Sequence, residues 1–137
     1  MIPERNAPYT YALFRIVFGL VFFFFGLQKT MGWFGGTAVG DFMSLQGAAG
    51  IVETLCGFLV MIGLFTRPAA FLASGEMAVA FWYIHVAMVG MGKLGLPAGI
   101  VPHMNGGVDS VLFCFAFLYI CTRGAGIWSV DAAMGKK

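Results

Sequence analysis

Charge is what this chain has least of. Eight Lys and Arg and six Asp and Glu make up 10% of its 137 residues, against about 25% in an average soluble domain. With 60% of residues hydrophobic and 15 Phe to place, that charge cannot cover a water-facing shell, which excludes a soluble globular protein. The net charge of +2, without a basic run or basic–aromatic interleaving, leaves no footprint for nucleic acid. Cysteine is scarce as well, and Cys56, Cys114 and Cys121 form no CxxC pair. Cys114 and Cys121 lie seven apart on one helix, about 10 Å along its axis and too far for a disulfide. All three read as small residues packed in a membrane core. A nucleotide loop, a haem-ligand pair, a nucleophile constellation and an internal repeat are missing too. No small-residue cleavage site follows the first apolar stretch, so it reads as a retained transmembrane helix rather than a secretory signal.

What is present is long apolar runs. A spanning helix needs about 20 largely apolar residues, and four segments suit: residues 9–29, 48–65, 68–89 and the shorter 105–122. The expectation is an all-α, four-helix transmembrane bundle forming one domain over residues 1–137. Pro68 fits a first helical turn, with Thr66 as its cap. The glycine-broken but apolar MGWFGGTAVGDFMSLQG predicts an interfacial or re-entrant segment between the first two helices. The run GMGKLGLPAGIVPHMNGG predicts an irregular loop. With four spans, Arg5, Arg67, Arg123, Lys136 and Lys137 share one side, with Arg15 just inside it, and only Lys29 and Lys93 lie opposite. The positive-inside bias therefore predicts cytoplasmic termini in the inner membrane of a bacterium or archaeon. Arg15, Arg67 and Arg123 read as snorkelling anchors on that side.

The polar residues fall on stripes of helical spacing. Arg15, Gly19, Phe22, Gly26 and Lys29 line up on helix 1. Gln46, Gly50, Glu53, Gly57, Val60 and Leu64 do so on helix 2, and Asn105, Asp109, Phe113, Ala116, Ile120 and Arg123 on helix 4. Such mixtures of charge and small residues suit faces turned toward neighbouring helices. Helix 3 differs. Glu76 and His85 are nine apart, about 180° around at about 100° per residue, so they are expected on opposite faces. Each ionisable group at membrane depth costs on the order of 3 kcal/mol or more and is a functional-site hypothesis by default. Lys29, Glu53, His85, Asn105 and Asp109 gather toward the outer side. Glu76 stands apart as a candidate contact to a partner subunit.

Several motifs carry a family resemblance. Phe24-Phe25-Gly26-Leu27-Gln28-Lys29 with Gly32-Trp33-Phe34-Gly35-Gly36 resembles the first signature of the DoxX family of small four-helix membrane proteins. Glu53 followed by Gly63-Leu64-Phe65-Thr66-Arg67 resembles the second. Met77-Ala78-Val79-Ala80 through His85, Asn105-Gly106-Gly107 and Trp128-Ser129-Val130-Asp131 continue it. The resemblance implies the four-helix fold and a link to membrane oxidoreductase assemblies that reduce quinone. It implies no catalytic residue. The chain departs from the family at Phe25, where a His is frequent, and at Val108, which separates Asn-Gly-Gly from Asp109. Glu76 stands where the family is mostly apolar.

These residues support competing readings. The favoured one is a small, non-catalytic accessory subunit of a larger membrane complex tied to respiratory or redox chemistry, with lipid and other membrane subunits as partners. The alternative is a quinone site. Phe22, Phe113 and Trp82 would form its slot, Lys29, His85 and Asn105 its donors, and Glu53 and Asp109 its proton carriers. Against that stands a purely structural network of Lys29 with Glu53 and His85 with Asp109 that fixes helix register. A soft-metal site from His85, Met88, Met91, His103 and Met104 is weaker, because no spacing defines a closed site. A transporter needs a repeat that the chain lacks.

Overall fold

The computed structural model describes residues 3–135; Lys136 and Lys137, counted in the charge bias, lie outside the described residues. Among the described residues the chain is all-α, without a strand. Helix α1 covers Ala7–Met31, α2 Leu45–Ile62 and α3 Thr66–Val79. Helix α3 runs on without a break into a π-helical segment, Ala80–Leu94. Short α4 (Pro102–Asn105) leads to α5 (Val108–Arg123) and α6 (Val130–Ala133). Three helices are long and apolar enough to cross a membrane: Glu4–Met31, Leu45–Ile62 and Thr66–Leu94. Helix α5 is shorter, at 16 residues.

The boundaries follow local chemistry. Ser44 caps α2 by accepting the Gly47 N–H, and Gly63 ends it at φ 73°. Helix α3 starts at Thr66, two residues before Pro68, after Phe65 turns the chain at φ 47°. The third helix continues to Leu94 rather than stopping near residue 89, because Gly90 and Gly92 are absorbed into the π-helical winding. The last long helix begins at Val108 rather than Asn105, because Gly106 breaks the path at φ 76°. Between α1 and α2 the chain is irregular and folds back on the end of α1, with Val39 N–H donating to the Lys29 carbonyl at 2.8 Å. Phe34, Phe42 and Met43 remain exposed there.

Helices α1 and α2 meet backbone to backbone. A Cβ on Gly19 would lie 2.5 Å from Met61 N, and one on Gly57 2.5 Å from Phe23 N. A Cβ on Gly26 would run into the backbone of Thr54. Small residues that admit such an approach replace the hydrophobic drive that lipid does not supply. Helix α3 presents Ala69, Ala70, Ala73 and Ser74, all buried, and the Ser74 hydroxyl donates to the Cys114 carbonyl on α5 at 2.8 Å. Phe22, Phe113, Phe117, Val60 and Ile120 fill the centre.

One end of the structure is a polar clasp. Arg15 does not snorkel: it is 0% exposed. Its guanidinium donates to the Val60 and Met61 carbonyls at 2.7 Å each, in the last turn of α2, and to the Trp128 carbonyl at 2.7 Å. Arg67 donates to the Cys121 and Thr122 carbonyls at the end of α5, 3.0 Å each. Arg123 lies over the Tyr11 ring, and the Tyr11 hydroxyl donates to the Gly124 carbonyl. The N-terminus of α3 is capped from a distance. The Asp131 carboxylate accepts the Phe65 and Thr66 N–H groups at 3.1 and 3.0 Å and the Thr66 hydroxyl at 3.0 Å. Thr66 is thus capped by Asp131 instead of acting as the cap. These cations serve helix C-termini and the anion an N-terminus, as the helix dipole favours.

Three outcomes follow for unfolding of the purified protein in detergent. Gly26→Ala lowers stability by about 1–3 kcal/mol through overpacking. Gly75→Ala, whose Cβ would meet open space, leaves it unchanged or raises it by up to about 1 kcal/mol. Asp131→Ala costs about 1–2 kcal/mol through the lost cap, read as a lower Tm.

Candidate functional site

Away from the clasp, α1, α2, the third helix and α5 enclose a cavity of about 560 Å³. Phe22 and Phe25 wall it from α1, Val52 from α2, Met77 and Ile84 from the third helix, and Phe113 from α5. Into this apolar chamber reach Lys29, Glu53, Glu76, His85, Asp109 and Ser110.

The Gly26–Thr54 approach sets the first pair. It lies one turn before Lys29 and one residue after Glu53, so closing the backbones brings the two side chains together. Lys29 Nζ donates to Glu53 Oε1 at 2.6 Å. Glu53 is 2% exposed, and its other oxygen, Oε2, is buried without a hydrogen-bond partner. Lys29 keeps one end toward the surface, with 39% of its side chain exposed.

Glu76 and His85 do not face apart. Both line the chamber, and the π-helical segment is the reason. From Ala80 onward each residue turns through less than the α-helical step of about 100°, because i→i+5 bonding puts more residues into each turn. The expected half-turn offset is thereby lost, and with it the reason for assigning Glu76 to a partner subunit. Glu76 Oε2 is also buried without a hydrogen-bond partner.

The remaining expected residues divide. His85 Nδ1 lies 3.2 Å from the Asn105 carbonyl oxygen, so His85 is joined to Asn105 and not to Asp109. The Asn105 side chain turns away from the chamber into its own loop: its amide donates to the Gly99 carbonyl at 2.9 Å, and its Oδ1 accepts the Gly107 N–H at 2.9 Å. Asp109 lines the chamber from an exposed position at the start of α5. Trp82 is 64% exposed and forms no part of the slot; Phe25 does. Met88 and Met91, late in the π-helical segment, and His103 and Met104, on α4, are exposed. Among the described residues no three His, Cys, Asp or Glu side chains are grouped to hold a metal ion. Arg15, Arg67 and Arg123 belong to the clasp. The periodicity argument missed Ser110, Met77 and the inward turn of Glu76. Ser110 and Met77 are buried next to chamber residues, but nothing in a short apolar sequence announces a π-helix.

The model of the family described as DoxX matches residues 10–86, more than half of the chain. The chain belongs to the DoxX family. The match runs from the start of α1 past His85, so it includes Lys29, Glu53, Glu76 and His85; Asp109 and Phe113 lie beyond it. A Haemophilus influenzae protein described as uncharacterised is 39% identical to this DoxX chain, over 98% of the chain and 97% of the relative. An inner membrane protein of Escherichia coli, YphA, is 30% identical over 90% of the chain and 89% of the relative. An uncharacterised membrane protein of Mycobacterium tuberculosis is 27% identical over 98% and 86%. No solved structure matches. With its apolar helices, this DoxX protein is a multi-pass protein of the bacterial inner membrane.

A double-mutant cycle reads the coupling of the buried pair. Lys29→Met strands the Glu53 carboxylate and lowers Tm, and adding Glu53→Gln recovers part of the loss, giving a coupling of about 0.5–3 kcal/mol. Additive losses would mean that the pair contributes nothing jointly.

Proposed function

We propose that this chain is a small, four-span subunit of a redox-linked assembly in the inner membrane, and that its contribution is to hold a small amphiphile in the chamber. Both termini are cytoplasmic in this reading. Arg5, Arg15, Arg67 and Arg123 cluster at the clasped end, and Lys29 and Lys93 lie beyond it. Helix α5 is the fourth span. At 16 residues it reaches about 24 Å, near the hydrocarbon thickness of about 30 Å. The segment 32–44, with Phe34 and Met43 exposed, lies at the interface.

The observation that carries the reading is the chamber. Its volume falls within the range of small-molecule sites, about 300–1,000 Å³, and ionisable side chains converge on it from all four helices. A purely structural network explains Lys29 with Glu53. It does not explain Glu76 and Asp109 turned into the same space. The redox link comes from the family resemblance, which points to quinone chemistry. The apolar walls suit a quinone ring. Donors for its two carbonyls are the remaining N–H groups of Lys29, one being given to Glu53, and the Ser110 hydroxyl, while His85 Nδ1 lies at the Asn105 carbonyl.

Native mass spectrometry of the protein, released gently from its own membrane, tests this. The expected result is a heteromeric complex in which this chain retains a small molecule, lost when Ala49→Phe fills the chamber. A chain that emerges alone and empty overturns the reading.

A further inference from the structure

We infer that the chamber takes an amphiphile with a cationic, hydrogen-bond-donating head, an organic ammonium or amidinium carried on an apolar body. The inference rests on the chamber reading above and adds the chemical class of the ligand. Three carboxyl groups, Glu53, Glu76 and Asp109, reach the space, against the single ammonium of Lys29. That ammonium is bonded to Glu53 Oε1 at 2.6 Å.

A second observation is independent of this count. Glu53 is 2% exposed, yet its Oε2 has no partner, and Glu76 Oε2 is buried in the same condition. An unpaired carboxyl oxygen in an apolar surround carries its full desolvation cost. A ligand that arrives with N–H donors removes that cost. The charge-assisted bonds it forms are the stronger kind.

Acceptor-headed ligands meet the opposite situation. An anion faces three carboxyl groups. A neutral carbonyl compound can take the remaining N–H groups of Lys29 or the Ser110 hydroxyl, but it leaves the buried Glu53 and Glu76 oxygens without a donor. The ligand's apolar body follows from the walls, where Phe22, Phe25 and Phe113 also offer ring faces to a cation. Intramembrane carboxyls are retained where they meet a charge of opposite sign, and Lys29 supplies too little of it.

Titration calorimetry on the full chain in an uncharged maltoside detergent tests the inference, with decylammonium, decanol and decylbenzoquinone as probes. Decylammonium is expected to saturate one site per chain, with decanol and decylbenzoquinone at least about tenfold weaker. Glu76→Gln, which keeps the Lys29–Glu53 pair, weakens decylammonium about tenfold and leaves decanol unchanged. Asp109→Asn, at an exposed position, reads the same charge dependence if Glu76→Gln does not fold. Equal binding of decanol and decylammonium, tighter binding of decylbenzoquinone, or indifference to both substitutions overturns the head-group inference and leaves the chamber standing. No saturable binding of any probe overturns both.

Discussion

A backbone carbonyl shut away from water has nothing else to turn to, so a helix end buried in this chain needs a partner from the chain itself. Arg15 meets that need at the most crowded point. Its buried guanidinium holds two carbonyls of the last turn of α2 and one from the segment before α6. Helix α1 approaches closely enough to deliver it because Gly19 and Gly57 let the two backbones touch. Asp131 and Arg67 do the same for the start of α3 and the end of α5. The clasp therefore joins α1, α2, α3, α5 and α6 at one end through side chain to backbone bonds.

The other end is built differently. There the side chains face one another across a space rather than closing on helix termini. The Lys29–Glu53 pair is the one direct ion pair among the described residues, and two carboxyl oxygens beside it remain unpartnered. The clasp closes helix termini and leaves a single buried donor, Arg15 Nε, without a partner, whereas the other end leaves carboxyl acceptors over. The same glycine-mediated contact between α1 and α2 serves both: Gly19 and Gly57 position Arg15, and Gly26 positions Lys29 against Glu53.

Much of this was readable from residue order. The stripes on helices 1 and 2 predicted that Arg15, Gly19, Phe22, Gly26, Gly50, Glu53, Gly57 and Val60 face inward, and all are buried. A straight helix carries its periodicity openly, and in a membrane small residues and charge mark the inward face. Gln46, on the same stripe, is exposed in the first turn of α2 while still lining the chamber. The regular period breaks where the winding changes. His85 and Glu76 share a chamber only because the helix becomes a π-helix at Ala80. The Asn105 side chain, read as a ligand donor, is taken up by its own loop, a contact made through Gly99 and Gly107.

Sequence alone determined the solvent, the all-α class and the inward faces of α1 and α2, because apolar length and helical period are local properties. It also determined family membership, since the signature motifs are short runs that recur in order along the chain. Tertiary structure decided what the arginines do, since a guanidinium that snorkels and one that holds carbonyls of a distant helix look identical in sequence. It decided that Asp131 caps a helix 65 residues away, and that Glu76 turns inward. Each of these depends on where a second element comes to lie, which no spacing along one helix encodes.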